Sequence, residues 1–297
     1  MYIFNIFRLD TLIEITTQKI KNGTGAQYFS KKYILNEFQK ILELTDNDQT
    51  HKNNLNIMDK RLCRYQEIFP YKNNTVSISN KNKIINASWI HIPFEKSFIA
   101  TQGPPESCIE DFWQMCFDYN VNVIVMLCRV EEDGKKKCST YWDIKNSKDF
   151  NVVNIQYIEE NDIFIKKEII VQKFKEPSQK RSFSHIQFKQ WPDHQTPNIE
   201  NIFHIFENIF IFVKERKGKE PAVIHCSAGV GRTGVFLTLY ILYKEIMEEI
   251  KSGEYIFVNI FNLVRKLKEF RHHLVENSMQ YNFIYYFIEE LLKEKNK

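Results

Sequence analysis

The segment VIHCSAGVGRTG, residues 223–234, combines residue types and a spacing that can bind an anion and react with it. It reads as a short buried strand, a tight loop and the first turn of a helix. Gly229 and Gly231 let the backbone curl, so that successive N–H groups face one point and form an anion-binding nest. The helix that follows directs its positive end to the same point. Cys226 begins this loop and Arg232 ends it.

These surroundings predict phosphoryl transfer to a cysteine. A thiol beside a helix N-terminus and a cation favours the thiolate, so Cys226 is expected to attack phosphorus. Arg232 offers a planar fork of donors to two phosphoryl oxygens, and Thr233 can donate its hydroxyl to the sulfur when it leaves again. The backbone between them is expected to surround the phosphate: Ser227, Ala228, Gly229, Val230 and Gly231. The C-x5-R spacing is weak by itself, and the pattern becomes specific through His225, Ala228, the inner glycines, Thr233 and Gly234.

The run HCSAGVGRTG resembles the signature loop of the phosphotyrosine-specific protein tyrosine phosphatases. Other segments resemble core motifs of that family: IINASWI (84–90), TQGP (101–104), FWQM (112–115) and VIVMLCRVEEDGKKKCSTYW (123–142). The resemblance covers about residues 30–292. It implies a single α/β domain with a central, highly twisted mixed β-sheet flanked by α-helices. It also implies an enzyme that hydrolyses phosphotyrosine in proteins through a cysteinyl-phosphate intermediate.

The resemblance also assigns an acid and three supporting side chains. The segment WPD, residues 191–193, is similar to the family's mobile acid loop. Asp193 is therefore the expected general acid that protonates the leaving tyrosinate, and Trp191 supports its loop. Glu132 matches the carboxylate that holds the loop arginine, and Lys137 matches a lysine that reaches toward the acid loop. The alternative for both is a solvated run of charges.

Residues 64–71, RYQEIFPY, resemble the family's phosphotyrosine-recognition loop. Tyr65 is then expected to form one wall of a deep cleft and to stack on the substrate ring. Phosphoserine and phosphothreonine are too short to reach the cysteine at the bottom of such a cleft. Glu67 lies where the family often has a residue that contacts the substrate backbone.

The segment RHHLVENSMQYNF, residues 271–283, resembles the part of the family that positions water for hydrolysis of the phosphocysteine. Gln280 matches the second of two glutamines. Glu276 occupies the position of the first, and this is the most serious departure from the family pattern. A carboxylate there faces a negatively charged phosphoryl group, so the hypothesis is an active enzyme with a sluggish or differently gated second step.

The hydrophobic pattern predicts the elements that position these residues. A helix is expected over 30–44, with Ser30 as its N-cap, and a loop over 45–60. Short strands follow between 75 and 175 and are interrupted by a helix at 109–119. After residue 197 the pattern predicts a buried strand, PAVIHC, and helices near 198–216, 232–251, 258–271 and 277–295. We expect one catalytic domain over 30–292, an unexplained segment over 1–29 and a polar tail over 293–297.

Composition excludes several other classes of protein. The formal charge is only +4, with 41 basic and 37 acidic residues, and no dense basic stripe indicates nucleic-acid binding. No window approaches the roughly 18 uninterrupted apolar residues of a membrane span, and the N-terminus is a poor signal peptide. We therefore expect a cytoplasmic protein that does not insert into a membrane. The family resemblance implies that its partners are phosphotyrosine-containing proteins, and we expect it to be monomeric. The Asn-, Lys- and Ile-rich sequence suits a viral or parasite effector in a host cell.

No metal or other cofactor is expected. The six cysteines lie far apart without a CxxC pair, which predicts neither a zinc site nor a disulfide framework. Adjacent residues cannot share one face of a helix, so His272 and His273 are interpreted as surface residues. The loop arginine and backbone supply the positive charge that a metal gives to other phosphatases.

Three other functions use a similar loop. The first is a module of the same fold that binds phosphotyrosine without turning it over, and Glu276 keeps this alternative open. The second is a dual-specificity or lipid phosphatase, which has a shallower pocket and generally lacks the RY…PY and TQGP segments. The third, a sulfur-transferring or arsenate-reducing enzyme, has no use for Asp193 or Tyr65.

Overall fold

The strands form one mixed sheet and a small separate hairpin. The computed structural model describes residues 31–79, 83–92, 97–144, 147–191, 197, 199–214, 219–252 and 258–295. Within these ranges the strands are β1 (Thr75–Ile78), β2 (Lys83–Ile90), β3 (Phe98–Thr101), β4 (Val123–Met126), β5 (Glu131–Glu132), β6 (Lys135–Lys136), β7 (Phe150–Glu160), β8 (Phe164–Lys173), β9 (Lys180–Phe188) and β10 (Ala222–His225). The eight-stranded sheet has the order β1-β2-β3-β10-β4-β9-β8-β7, and β5 and β6 form the hairpin.

The middle of the sheet is parallel. Strands β3, β10, β4 and β9 run side by side in one direction, and the outer strands pair antiparallel. Along β10, Ala222 and Ile224 pack into one core cluster and Val223 packs into the other. A parallel strand covered on both faces must be apolar along its length, which explains the run PAVI. Cys226 therefore follows directly at the carboxyl edge of a central strand.

Helices cover both faces of this sheet. They are α1 (Lys31–Leu44), α2 (Gln49–Asn53), α3 (Ile109–Asp118), α4 (Ile199–Lys214), α5 (Gly231–Ser252), α6 (Ile260–Phe270) and α7 (Ser278–Lys295). Helix α5 is buried almost continuously over its first 13 residues and packs against α6 and α7 in the larger core cluster. Helix α3 covers the other face with Phe112, Trp113 and Met115. The predicted single α/β domain with a mixed sheet between helices is confirmed.

Two elements differ from the sequence prediction. Residues 45–60 are not loop throughout, because the short helix α2 forms where the Asp48 side chain accepts a hydrogen bond from the Thr50 N–H. Strand β9 was not predicted, although it is central to the sheet and leads directly to the acid loop. Its polar residues obscured the alternation, and tertiary burial of His185 and Gln187 decides its conformation. The predicted N-cap, Ser30, lies outside the described residues.

No helix in the described ranges combines the length and apolar character needed to span a bilayer.

Candidate active site

The loop between β10 and α5 closes on its own cysteine. Gly229 has φ +74°, and its N–H donates to Cys226 Sγ across 3.3 Å. A Cβ at this position would lie 2.1 Å from Thr101 O, so only glycine allows the loop to pack against β3. Cys226 is 4 % exposed. The sulfur is therefore recessed and receives a backbone N–H, as an anion-binding loop requires.

The carboxylate of Glu132 orients the guanidinium of Arg232. Nη1 donates to Oε1 at 2.7 Å, Nη2 donates to Oε2 at 2.6 Å, and Nη1 also donates to Leu127 O at 3.1 Å. Burial disfavours the charged guanidinium, but the paired carboxylate outweighs burial and raises the pKa of Arg232. Glu132 lies in the β5–β6 hairpin, where Asp133 and Gly134 both have positive φ, as a tight two-residue turn requires. The hairpin thus turns one carboxylate of a charged run toward the site.

A chain of hydrogen bonds fixes the histidine that precedes the nucleophile. Distances of 3.0 Å from His225 Nδ1 to Cys226 O, 2.9 Å from His225 Nε2 to Tyr141 Oη and 2.7 Å from Tyr141 Oη to His185 Nε2 define the chain. The arrangement that satisfies all three contacts has His185 donating to Tyr141, Tyr141 to His225, and His225 to the carbonyl of Cys226. Burial lowers the pKa of His225 to about 4. The ring is neutral at neutral pH and holds the cysteine backbone in place.

Arg271 is a functional residue that sequence reasoning missed. Its fully buried side chain donates to Gly229 O at 2.9 Å, Ala228 O at 3.2 Å, Asn86 Oδ1 at 2.8 Å and Ser88 Oγ at 3.1 Å. It therefore joins the loop of residues 226–232, hereafter called the phosphate loop, to β2. Burial lowers the pKa of Arg271 to about 10, so the side chain still carries its charge at neutral pH. No signal in one sequence distinguishes a buried arginine of this kind from the many exposed ones.

The cysteine and arginine open into a cavity of about 420 Å³. Its lining brings together most of the site residues expected from the sequence: Tyr65, Glu67, Cys226, Ser227, Ala228, Gly231, Arg232, Glu276 and Gln280, with Gln66 and Ile68. Val230 does not belong to this lining. Its side chain is fully buried, and its carbonyl accepts hydrogen bonds from Gly234 N at 2.8 Å and Val275 N at 3.3 Å. Val230 therefore docks the loop onto its neighbours.

One wall of the cavity is held by contacts from the recognition loop. Ser227 Oγ donates to Lys137 O at 2.8 Å, so Tyr65 Oη is the donor in its 2.9 Å contact with Ser227 Oγ. Arg64 donates to Gly103 O at 2.7 Å and to Pro104 O at 2.8 Å. Tyr65 is 38 % exposed and Cys226 is 4 % exposed, so the tyrosine belongs to the more open part of the cavity lining and the cysteine to its more enclosed part.

The residues expected to act in the second step differ in exposure and in hydrogen bonding. Gln280 is buried, and its Oε1 accepts the N–H of Glu276 at 2.8 Å, while the Glu276 side chain is exposed at the cavity. Thr233 is fully buried, and its hydroxyl has no hydrogen-bond partner among the described residues. The expected bond from Thr233 to the sulfur is therefore not formed in this structure.

The acid loop is described only at its first residue. Trp191 is 2 % exposed and packs on the rings of Phe206 and Phe283, with centroids 5.6 Å and 6.1 Å away. Asp193, the expected general acid, lies outside the described residues. Lys137 is buried, so it is not part of a solvated charge run. The acid loop that it is expected to approach lies outside the described residues after Trp191.

Two adjacent histidines converge on a carboxylate beside the site, contrary to the expectation that they are simple surface residues. They follow α6 outside any helix, and φ of +65° at His273 brings its ring centroid within 3.7 Å of that of His272. Nδ1 of His273 lies 3.3 Å, and Nδ1 of His272 3.8 Å, from carboxylate oxygens of Asp46.

Histidine nitrogens and a carboxylate of this kind can hold a metal ion. However, the fully buried ammonium of Lys268 lies 2.9 Å from Asp46 Oδ2 and already supplies a cation there. The hydrogen bonds and positive charge around Asp46 outweigh its burial and hold its pKa well below the usual range.

Comparison with known proteins gives the class of this fold and site. The family model described as Protein-tyrosine phosphatase matches residues 59–290, and the chain belongs to that family. It is 33 % identical over 267 residues to tyrosine-protein phosphatase non-receptor type 20 of Rattus norvegicus, which covers 88 % of this chain and 61 % of the relative. It is 34 % identical over 223 residues to tyrosine-protein phosphatase 2 of Dictyostelium discoideum, covering 72 % of this chain and 57 % of the relative. The chain thus spans about three fifths of the length of these two relatives.

Solved structures agree with this assignment. The catalytic domain of human protein tyrosine phosphatase non-receptor type 18 superposes with a TM-score of 0.74 at 26 % identity, covering 88 % of this chain and 96 % of that one. The same phosphatase in complex with HER2 phosphopeptides gives a TM-score of 0.72 at 25 % identity, covering 87 % and 99 %.

Proposed function

We propose that this protein hydrolyses phosphotyrosine in proteins through a cysteinyl-phosphate intermediate. The observation that carries this proposal is the recessed Cys226 in the same cavity as Arg232, beside a loop N–H and a tyrosine wall. In the first step Cys226 attacks phosphorus and the tyrosyl oxygen leaves. Arg232 holds two phosphoryl oxygens, in the orientation that Glu132 imposes on its guanidinium. Asp193 protonates the leaving tyrosinate, a role supported by the place of the WPD segment in the family order.

The second step regenerates the free cysteine. Water attacks the phosphocysteine, inorganic phosphate leaves, and Cys226 is released as the thiolate. Gln280 is the residue proposed to hold this water, supported by its buried position at the cavity. Thr233 would stabilise the departing sulfur only after its hydroxyl gains a contact that this structure lacks.

Selectivity for phosphotyrosine follows from the difference in exposure between the two ends of the cavity. The nucleophile is 4 % exposed and Tyr65 is 38 % exposed in the lining of one cavity, so we propose that the substrate enters along the tyrosine ring and its phosphate reaches the enclosed sulfur. An aromatic phosphoester can stack on that ring along the way. Glu67, exposed at the same wall, is proposed to accept a backbone N–H from the substrate.

Turnover of matched phosphopeptides tests the proposal. Peptides that differ only in phosphotyrosine or phosphothreonine should differ by at least about 100-fold in kcat/KM, and Cys226→Ser should abolish turnover of both and of p-nitrophenyl phosphate. Binding of phosphotyrosine peptide without turnover by the wild type would instead establish the non-catalytic module. Equal turnover of both peptides would establish a dual-specificity enzyme.

The proposed partners are phosphotyrosine-containing proteins, since a similar phosphatase is solved with phosphopeptides. We propose a cytoplasmic location, which the six unpaired cysteines support, because such thiols persist in a reducing compartment. We also propose that the protein is monomeric. We propose further that it is an effector of a virus or parasite whose A/T-rich genome would explain the Asn-, Lys- and Ile-rich composition. Substrate trapping with Asp193→Ala in host-cell lysate, followed by identification of captured phosphoproteins, tests the partners directly.

A further inference from the structure

The carboxylate of Glu276 and the amide of Gln280 lie side by side above the phosphate loop. A Cβ built on Gly231 would come 2.8 Å from Glu276 Oε2 and 2.7 Å from Gln280 Nε2. Both side chains line the cavity that contains Cys226 and Arg232. A glycine at the start of α5 is therefore what lets these two groups approach the loop so closely.

The backbone before Glu276 fixes this approach. Val275 has φ +57°, which is strained for a β-branched residue, and it is held there while its N–H donates to Val230 O at 3.3 Å. On the other side, Asn277 Oδ1 accepts the Gln280 N–H at 2.9 Å and Gln280 Oε1 accepts the Glu276 N–H at 2.8 Å. Glu276 is thus held between a strained residue docked on the phosphate loop and the first turn of α7.

We propose that Glu276 is the general base for hydrolysis of the phosphocysteine, an inference that rests on the proposed function. Gln280 holds the water, whose oxygen attacks phosphorus while one of its protons passes to the Glu276 carboxylate. The new P–O bond forms as the P–S bond breaks, and the bonding electrons leave with Cys226 as a thiolate. Inorganic phosphate is the product.

The placement of Glu276 suits a base better than a passive group. A carboxylate beside a phosphoryl group is repelled by it, and taking a proton from the attacking water removes that repulsion as the reaction proceeds. Glu276 is exposed to solvent, so it can lose the proton to bulk water before the next turnover. An amide at this position could orient water but could not accept its proton.

The test separates Glu276 from Asp193, the other carboxylate able to serve as base. The substrate is p-nitrophenyl phosphate, whose leaving group needs little help from an acid, so Asp193→Ala still forms the phosphocysteine. Rapid-quench mixing and intact-protein mass spectrometry then follow the decay of the phosphocysteine in Asp193→Ala and in Asp193→Ala/Glu276→Gln. Asp162→Asn, an exposed charge change in the β7–β8 turn, replaces Glu276→Gln in the control.

We expect the decay to be at least about 100-fold slower with Glu276→Gln than in Asp193→Ala alone, because a general base contributes about 10² to 10⁴ in rate. Glu276→Asp should give an intermediate rate, and the solvent deuterium isotope effect of Asp193→Ala should disappear in the Gln variant. Decay that is unchanged or faster with Gln overturns this inference and leaves the proposed function standing. Absence of both phosphocysteine and phosphate release in every variant and in the wild type overturns both.

Discussion

Glu132→Gln tests how far the buried, charged guanidinium of Arg232 depends on its carboxylate partner for stability and for orientation. Glutamine keeps the shape of the side chain but removes the negative charge and places an amide NH2 where one oxygen now accepts. That oxygen receives Arg232 Nη2 at 2.6 Å, and the other receives Arg232 Nη1 at 2.7 Å and Arg129 N at 2.9 Å. The two side chains are only 4 % and 10 % exposed, so water cannot easily replace the lost contact.

The expected effect is large in both stability and activity. Removing one partner of a buried pair costs about 3–5 kcal/mol. Arg232 keeps its bond to Leu127 O and faces the cavity, so we expect the lower end, about 3 kcal/mol. That value lowers the folding equilibrium constant by about 100-fold. Because the fork is also misaligned for two phosphoryl oxygens, kcat/KM should fall by about 100-fold or more.

Urea unfolding and steady-state kinetics measure the two effects. Glu131→Gln, an exposed glutamate on the same hairpin, is the matched control and should change stability by less than about 0.5 kcal/mol. A decrease of less than about 1 kcal/mol in the free energy of unfolding of Glu132→Gln would show that the carboxylate does not stabilise the buried guanidinium. A full loss of stability with unchanged kcat/KM would show that the pair is structural only.

Three further predictions follow from the loop and the buried histidines. Gly229→Ala should cost about 3 kcal/mol, because the new Cβ would meet Thr101 O, whereas Gly134→Ala, with similar φ and open space, should cost about 1 kcal/mol in the same urea assay. Arg271→Met should cost about 2–4 kcal/mol and lower kcat/KM about 100-fold, because it leaves buried loop carbonyls unpaired; Arg271→Lys reaches too few of them to restore activity. Burial lowers the pKa of His225 to about 4 and that of His272 to about 3, below the roughly 6.5 of an unfolded histidine, so unfolding takes up protons. These two histidines should together lower stability by about 3–4 kcal/mol between pH 7 and pH 5, and His185, whose pKa burial also lowers, should add to this fall. His272→Gln should reduce the fall by about 2 kcal/mol relative to the wild type, and an unchanged fall would contradict neutral burial of that residue.

The sequence alone predicts the chemistry of this protein, because the reactive residues lie within one short segment. The loop needs a cysteine, glycines that tolerate unusual backbone conformations and an arginine within a few residues, so residues 223–234 predict its shape and its ligand without distant contacts. Strong hydrophobic periodicity likewise predicts α1, α3 and the strands β1 to β4. For Glu132, Tyr65 and Gln280, the family resemblance indicated positions that the structure then brings to one cavity or one guanidinium.

Tertiary structure alone decided the features that depend on burial and on packing between distant segments. Arg271 and the chain from His185 to His225 owe their roles to complete burial, which makes each polar atom find a partner from another element. Strand β9 exists because β4 and β8 pair with it on either side, although its own residues are mixed in polarity. Likewise, the position of Glu276 over Gly231 depends on a strained residue that only the docked loop can stabilise. A local sequence can specify a turn and its reactive groups, but the desolvation that sets their charges is supplied by the rest of the fold.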